Sequence, residues 1–200
     1  LKRIILDLDN TLCDFIETWL VWLYSEGYAD RILTLPEVTT YDFLCRSFGK
    51  GASDFYLEDP HFIYGKLIQP YEGSKEFVEW CKENFDEVSI LSHADTYKNK
   101  EAKSKFVKYN YGITDIQFSN NIIEKYNFTK KCILVDDYPY HILQHINKNN
   151  NLGICINLHN NGWSNINNHL PLIMENNIDM SKFKSAGSYE EIKQIIKECL

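Results

Sequence analysis

Three short apolar runs, each ending in carboxylate or hydroxyl residues, constrain this chain more than any other feature. Arg3-Ile4-Ile5-Leu6 leads into Asp7 and Asp9, Glu87-Val88-Ser89-Ile90-Leu91 into Ser92, and Cys132-Ile133-Leu134-Val135 into Asp136 and Asp137. Runs this short and this apolar read as strands buried on both faces. The stretches between them carry helical periodicity. Strands alternating with helices imply an α/β fold, a Rossmann-like, mostly parallel sheet covered on both sides. Such sheets bind ligands at the carboxyl ends of their strands, which is where these polar residues fall.

The remaining elements follow from the same spacing rules. Phe15, Trp19, Leu20, Trp22 and Leu23 recur at helical intervals over residues 14–28, and Gly27 stops the pattern. Residues 30–68 are aromatic and irregular, broken by Pro36, Gly49, Gly51 and Pro60, so short helices are expected there. A turn at 70–73 precedes a helix over 74–84. A lysine-rich helix is expected over 95–111, a weak strand over 113–118, a helix over 141–148, a strand over 152–157 and a closing helix over 188–199. The asparagine-dense stretch 147–177 reads largely as loop, and the chain holds no internal repeat.

Length and charge narrow the function. At 200 residues the chain has the size of one domain, or of one domain carrying a small insertion. No apolar run approaches the ~18 residues of a membrane span. The opening run is too short for a secretory signal, and Asp7 interrupts it. Cys13, Cys45, Cys81, Cys132, Cys155 and Cys199 form no Cys-x-x-Cys pair. They read as mostly buried thiols of a reducing compartment, with a cytoplasmic location expected. The net charge of −7 speaks against stable binding of nucleic-acid polymers but allows a small anionic substrate. A homodimer is one option for its assembly.

The carboxylates suggest a chemistry. Asp7 and Asp9 stand two residues apart just beyond a buried strand. One carboxylate can attack phosphorus to form an acyl-phosphate, while the other protonates the leaving oxygen and then activates water. Asp7 is the candidate nucleophile and Asp9 the candidate acid/base. Phosphoryl transfer depends chiefly on charge neutralisation, and Mg²⁺ suits an all-oxygen site, so Asp136 and Asp137 are placed beside Asp7 as metal ligands. Ser92 and His93, at a strand end leading into a helix, are placed at the phosphate. Lys125 and Lys103 are the candidate fixed cations. Taken singly, Asp-x-Asp after a strand is often only a turn or a helix cap, as is Asp136-Asp137 before Tyr138-Pro139. Their recurrence at successive strand ends favours a site.

In this order, Asp-x-Asp-x-Thr, a strand ending in Ser92, a lysine and a strand ending in Asp136-Asp137, the chain resembles the haloacid dehalogenase (HAD) superfamily over about residues 3–160. The resemblance implies Mg²⁺ held by the Asp7 side chain, the Asp9 backbone carbonyl and a carboxylate of the Asp136-Asp137 pair. It implies a catalytic core of residues 1–13 and 69–200, with a small helical cap, 14–68, inserted after the first strand. Among branches, the 5′(3′)-deoxyribonucleotidases look most similar. Cys13-Asp14-Phe15, Gln69-Pro70-Tyr71-Glu72-Gly73, the stretch from Lys103 to Gly112 and His159-Asn160 resemble segments of that branch. By that similarity Phe15 packs on a nucleobase, with Tyr41 and Phe43 as neighbours, although aromatics at helical spacing are more often core. Asn10, Ser92 and Ala94 depart from the Gly, Thr and Pro of that branch. Lys125, eleven residues before Asp136, suits the third motif best, and Lys103 is a second phosphate-binding candidate.

The expectation is thus a Mg²⁺-dependent phosphatase acting on a small phosphorylated substrate, a nucleoside monophosphate. The alternatives are a phosphatase of another small phosphoester such as a sugar phosphate, a non-catalytic binding protein of the same fold, and a polynucleotide end-phosphatase.

Overall fold

The structure is a computed structural model that describes residues 2–40 and 42–199. Its strands are β1 (Arg3–Leu6), β2 (Glu87–His93), β3 (Ile116–Ser119), β4 (Ile133–Asp136), β5 (Gly153–Ile156) and β6 (Phe183–Ala186). They form one sheet in the order β3-β2-β1-β4-β5-β6. Every pairing is parallel, so the expected sheet is parallel throughout. The strand order reverses between β1 and β4, and the crevice outside their carboxyl ends is the favoured ligand position of such a sheet.

The helices in chain order are α1 (Phe15–Ser25), α2 (Phe43–Phe48), α3 (Asp54–Leu57), α4 (Pro60–Phe62), α5 (Ser74–Asn84), α6 (Tyr97–Tyr111), α7 (Pro139–Asn149), α8 (Leu170–Asn176) and α9 (Tyr189–Cys199). Side chains alternate across β1: Ile4 and Leu6 join the apolar cluster on one face of the sheet, and Ile5 joins Leu134, Ile142, Leu143 and Ile146 on the other. The first cluster continues through Trp19, Leu23, Leu44 and Phe55 of the 14–68 segment. That segment leaves and returns along paired backbone, with Cys13 bridged to Pro70 and Tyr71 N–H donating to the Leu12 carbonyl at 2.9 Å. The Asp14 carboxylate closes the same junction by accepting from Gln69 N–H at 2.6 Å.

Several boundaries differ from expectation for local reasons. The lysine-rich helix begins at Tyr97 because the Thr96 hydroxyl accepts from Asn99 N–H at 3.1 Å and caps it. It ends at Gly112, whose φ of +62° suits a left-handed cap. The helix expected from 141 begins two residues earlier, with Pro139 in its first turn. The strand β6 and the helix α8 have no counterpart in the sequence reading. β6 is an edge strand with polar Lys184 and Ser185, and α8 lies inside the asparagine-rich tract. Cys13, Cys81, Cys132 and Cys155 are buried free thiols, whereas Cys199 is exposed and Cys45 half-buried. No described helix is long and apolar enough to cross a membrane.

Candidate active site

The turn after β1 is built around Asn10. Its φ of +60° falls in the left-handed region, which asparagine tolerates better than most residues. Its side-chain oxygen accepts from Ile16 N–H at 2.8 Å, which ties the turn to the start of α1. Asp7 is fixed in turn by its own N–H, which donates to the Val135 carbonyl of β4 at 2.9 Å.

Two lysines divide the carboxylates. Lys125 Nζ lies 2.5 Å from Asp7 Oδ1 and 2.9 Å from Asp136 Oδ2. Lys103 Nζ lies 2.5 Å from Asp9 Oδ2, and it also donates to Ser92 Oγ at 2.9 Å and to the His93 carbonyl at 2.6 Å. The two candidate cations of the sequence thus serve different partners. Both are buried, Lys103 on α6 and Lys125 on the turn between β3 and β4. The His93 ring lines the adjoining cavity, with Nδ1 2.9 Å from the Ser119 carbonyl and Nε2 3.0 Å from Asp95.

Asp7, Asp136 and Asp137 bring carboxylate oxygens within 4.8 Å of one another, and all three are buried. Burial is the largest influence on Asp7 and pushes its carboxyl up to about 7, with Lys125 opposing and Asp136 and Asp9 adding to the rise. Asp137 is pushed well above the usual carboxylate range by burial and by Asp136 and Asp7. Burial raises Asp136 too, but His141 and Lys125 outweigh it and hold that carboxyl below its usual range. Burial would lower the Lys125 ammonium, yet Asp136 and Asp7 hold it above its ordinary value. Three buried carboxylates facing one ammonium form a site short of positive charge, which suits a hard divalent cation taking oxygen ligands.

Some partners were not legible in the sequence. The Trp163 indole N–H donates to Asp137 Oδ2 at 2.6 Å, and Ser164 Oγ donates to the Asp137 carbonyl at 2.7 Å. His141 Nδ1 lies 3.0 Å from both Asp136 oxygens, and Tyr138 N–H donates to Oδ1 at 2.9 Å. The Tyr64 hydroxyl donates to Asp9 Oδ1 at 2.7 Å. The only local hint was that His141 lies in the first turn of the helix that follows Asp136-Asp137.

Beside Asp9 opens a cavity of about 230 Å³ with Phe15, Trp19, Tyr56, Tyr64, Asn99 and Lys103 in its walls. Phe15, expected on a nucleobase, lines this cavity. Phe43 packs against the main apolar cluster, and its neighbour Asp42 reaches the cavity wall instead. Tyr41 lies outside the described residues.

No protein-family profile matches the sequence, and no curated protein matches it. Solved structures share its fold at low identity. A HAD family hydrolase from Deinococcus radiodurans R1, crystallised with bound phosphate and sodium, matches over 98% of this chain and 95% of its own, at 13% identity and a TM-score of 0.63. A protein from Haemophilus somnus 129PT, described as a predicted phosphoglycolate phosphatase, matches over 98% of this chain and 97% of its own at 13% identity and a TM-score of 0.60. A HAD hydrolase of family IA, variant 3, from Entamoeba histolytica matches over 96% and 95% at 13% identity and a TM-score of 0.57. The protein has the fold of HAD-superfamily hydrolases.

Proposed function

We propose that this protein is a Mg²⁺-dependent phosphatase that hydrolyses phosphate monoesters through an aspartyl-phosphate on Asp7, with nucleoside monophosphates as its substrate class. The arrangement of Asp7, Lys125, Asp136 and Asp137 at the carboxyl ends of β1 and β4, beside Asp9, Lys103 and Ser92, carries the reading. Mg²⁺ would be held by Asp7, by the Asp9 backbone carbonyl and by Asp137. Both Asp136 oxygens already accept from Lys125, His141 or Tyr138 N–H, whereas Asp137 accepts through Oδ2 from Trp163 and keeps Oδ1 for a ligand. When bound, the ion supplies positive charge to the phosphoryl oxygens.

The protein's own groups account for the covalent steps. An Asp7 oxygen forms a bond to phosphorus as the ester P–O bond breaks, and Asp9 gives its proton to the departing oxygen. Asp9 then takes a proton from water, whose oxygen attacks phosphorus, and the bond to Asp7 breaks to release inorganic phosphate. Ser92 and Lys103 bind phosphoryl oxygens, Lys125 keeps Asp7 aligned, and the 14–68 segment acts as a cap that shields the site from water.

The cavity favours a nucleoside as leaving group. Phe15 and Tyr56 are half-buried aromatics in its wall, and a base can stack on such a surface. Asp42 and Asp95 also line it, while Lys103 is already engaged by Asp9. Turnover should be measured with Mg²⁺ on nucleoside monophosphates, sugar phosphates and phosphoglycolate. Equal rates across the three groups would refute the nucleotide preference. Asp7→Asn is expected to reduce turnover to background, and retained activity would refute the covalent mechanism.

A further inference from the structure

Tyr64 is a buried phenol whose hydroxyl crosses from the 14–68 segment to a carboxylate at the end of β1. It sits in the turn Ile63–Leu67, just before the chain rejoins the sheet at Pro70. Its ring is held on several sides: stacked on Phe15 with centroids 6.1 Å apart, edge-on to Phe106 of α6 at 5.8 Å, and with the Lys103 ammonium 5.5 Å from its centroid. Its hydroxyl is the donor to Asp9 Oδ1, at 2.7 Å.

The two oxygens of Asp9 are therefore distinguished. Oδ2 faces the phosphate-binding pair, 2.5 Å from Lys103 Nζ and 3.5 Å from Ser92 Oγ. Oδ1 points the other way and accepts from Tyr64. Without that hydroxyl the carboxylate is free to turn about its terminal torsion, which is soft for aspartate. We propose that Tyr64 is a positioning residue for Asp9: it pins Oδ1 so that Oδ2 exchanges the proton with the leaving oxygen, and it makes seating of the 14–68 segment and alignment of the acid/base one event. The proposal rests on the phosphatase reading above. In the step concerned, the proton on Asp9 Oδ2 passes to the leaving oxygen as the P–O bond breaks, and Tyr64 keeps its own proton throughout.

The test is kcat/KM, which reports formation of the phospho-enzyme, for Tyr64→Phe on two substrate classes. Esters of poorly acidic alcohols need the proton from Asp9, whereas p-nitrophenyl phosphate does not. General acid catalysis is worth about 10²–10⁴-fold, so misalignment is expected to lower kcat/KM about 10–100-fold for alkyl phosphates and less than about 3-fold for p-nitrophenyl phosphate. A loss equal on both substrates, or absent from both, overturns the proposal. Phe106→Leu removes the ring contact and keeps the hydroxyl; it should lower the melting temperature without changing the ratio between substrates. If Phe106→Leu shifts that ratio as much as Tyr64→Phe does, packing rather than the hydrogen bond is responsible and the proposal falls. A wild-type protein inactive on every phosphoester would instead overturn the phosphatase reading, and this inference with it.

Discussion

Trp163 reaches from the turn after β5 and gives its indole N–H to Asp137 Oδ2 at 2.6 Å, at the carboxylate cluster of Asp7, Asp136 and Asp137. A hydrogen bond behind a metal ligand fixes its orientation, and its loss typically weakens metal binding about 10–100-fold. Trp163→Phe keeps an aromatic ring and removes the donor. Calorimetric titration with Mg²⁺ should show that loss in affinity, and an unchanged affinity would remove Trp163 from the site. Next to it, Gly162 lies so near the 14–68 segment that a Cβ would stand 2.5 Å from the Pro36 carbonyl oxygen and 2.7 Å from that of Val38. The same short turn therefore touches both Asp137 and the 14–68 segment. The two lysines that the sequence left competing for one role each hold a carboxylate of their own.

The helix α7 secures the back of the site through His145. Its Nδ1 lies 2.8 Å from Thr129 Oγ1 and its Nε2 3.1 Å from the Leu152 carbonyl, so it joins the turn that follows Lys125 to the approach of β5. Gly153 is required here because a Cβ would come within 2.6 Å of Ile142 Cγ2 of α7. Burial pushes the His145 imidazole down to about 4, against 6.5 in an ordinary setting. The unfolded chain therefore binds this proton at a higher pH than the folded one. Stability from this group is complete above pH ~6.5 and is lost as pH falls towards ~4, by about 3 kcal/mol in all. Urea midpoints across this range should fall more steeply in the wild type than in His145→Gln, and parallel curves would show that the group does not control acid sensitivity. Among the elements, α5 was legible to the residue, because Phe77, Val78 and Cys81 mark one buried helical face. β6 was not, since an edge strand with two polar residues in four has no distinctive period.

Asp7, Asp136 and Asp137 share one buried space with Lys125. A cation that binds there only in the folded protein stabilises it by mass action, about 2.7 kcal/mol at a hundred times its Kd. For a chain of this length that raises the melting temperature by about 5–10 °C. Mg²⁺ should produce the shift, EDTA should reverse it, and Asp137→Asn should diminish it. A melting curve indifferent to Mg²⁺ would refute a metal site at this cluster. The aromatic cavity has Asp9 and Lys103 in its wall, whereas Lys125 pairs with Asp7 and Asp136.

The sequence by itself determined five of the six strands and the carboxyl edge at which their polar residues emerge. Alternation of apolar runs with amphipathic stretches is a local property, and a residue that follows a buried strand must emerge at its carboxyl end. Asp7, Asp9, Ser92, Asp136 and Asp137 therefore fall at that edge on the sequence alone. Only the tertiary structure decided who holds them. Tyr64 meets Asp9 across 55 residues and Trp163 meets Asp137 across 26. Neither contact leaves a local trace, because an aromatic at helical spacing looks the same whether it fills a core or donates a hydrogen bond. The same reason put Asp42, rather than Phe43, at the cavity wall: neighbours in a short helix face different ways, and only packing shows which one faces the site.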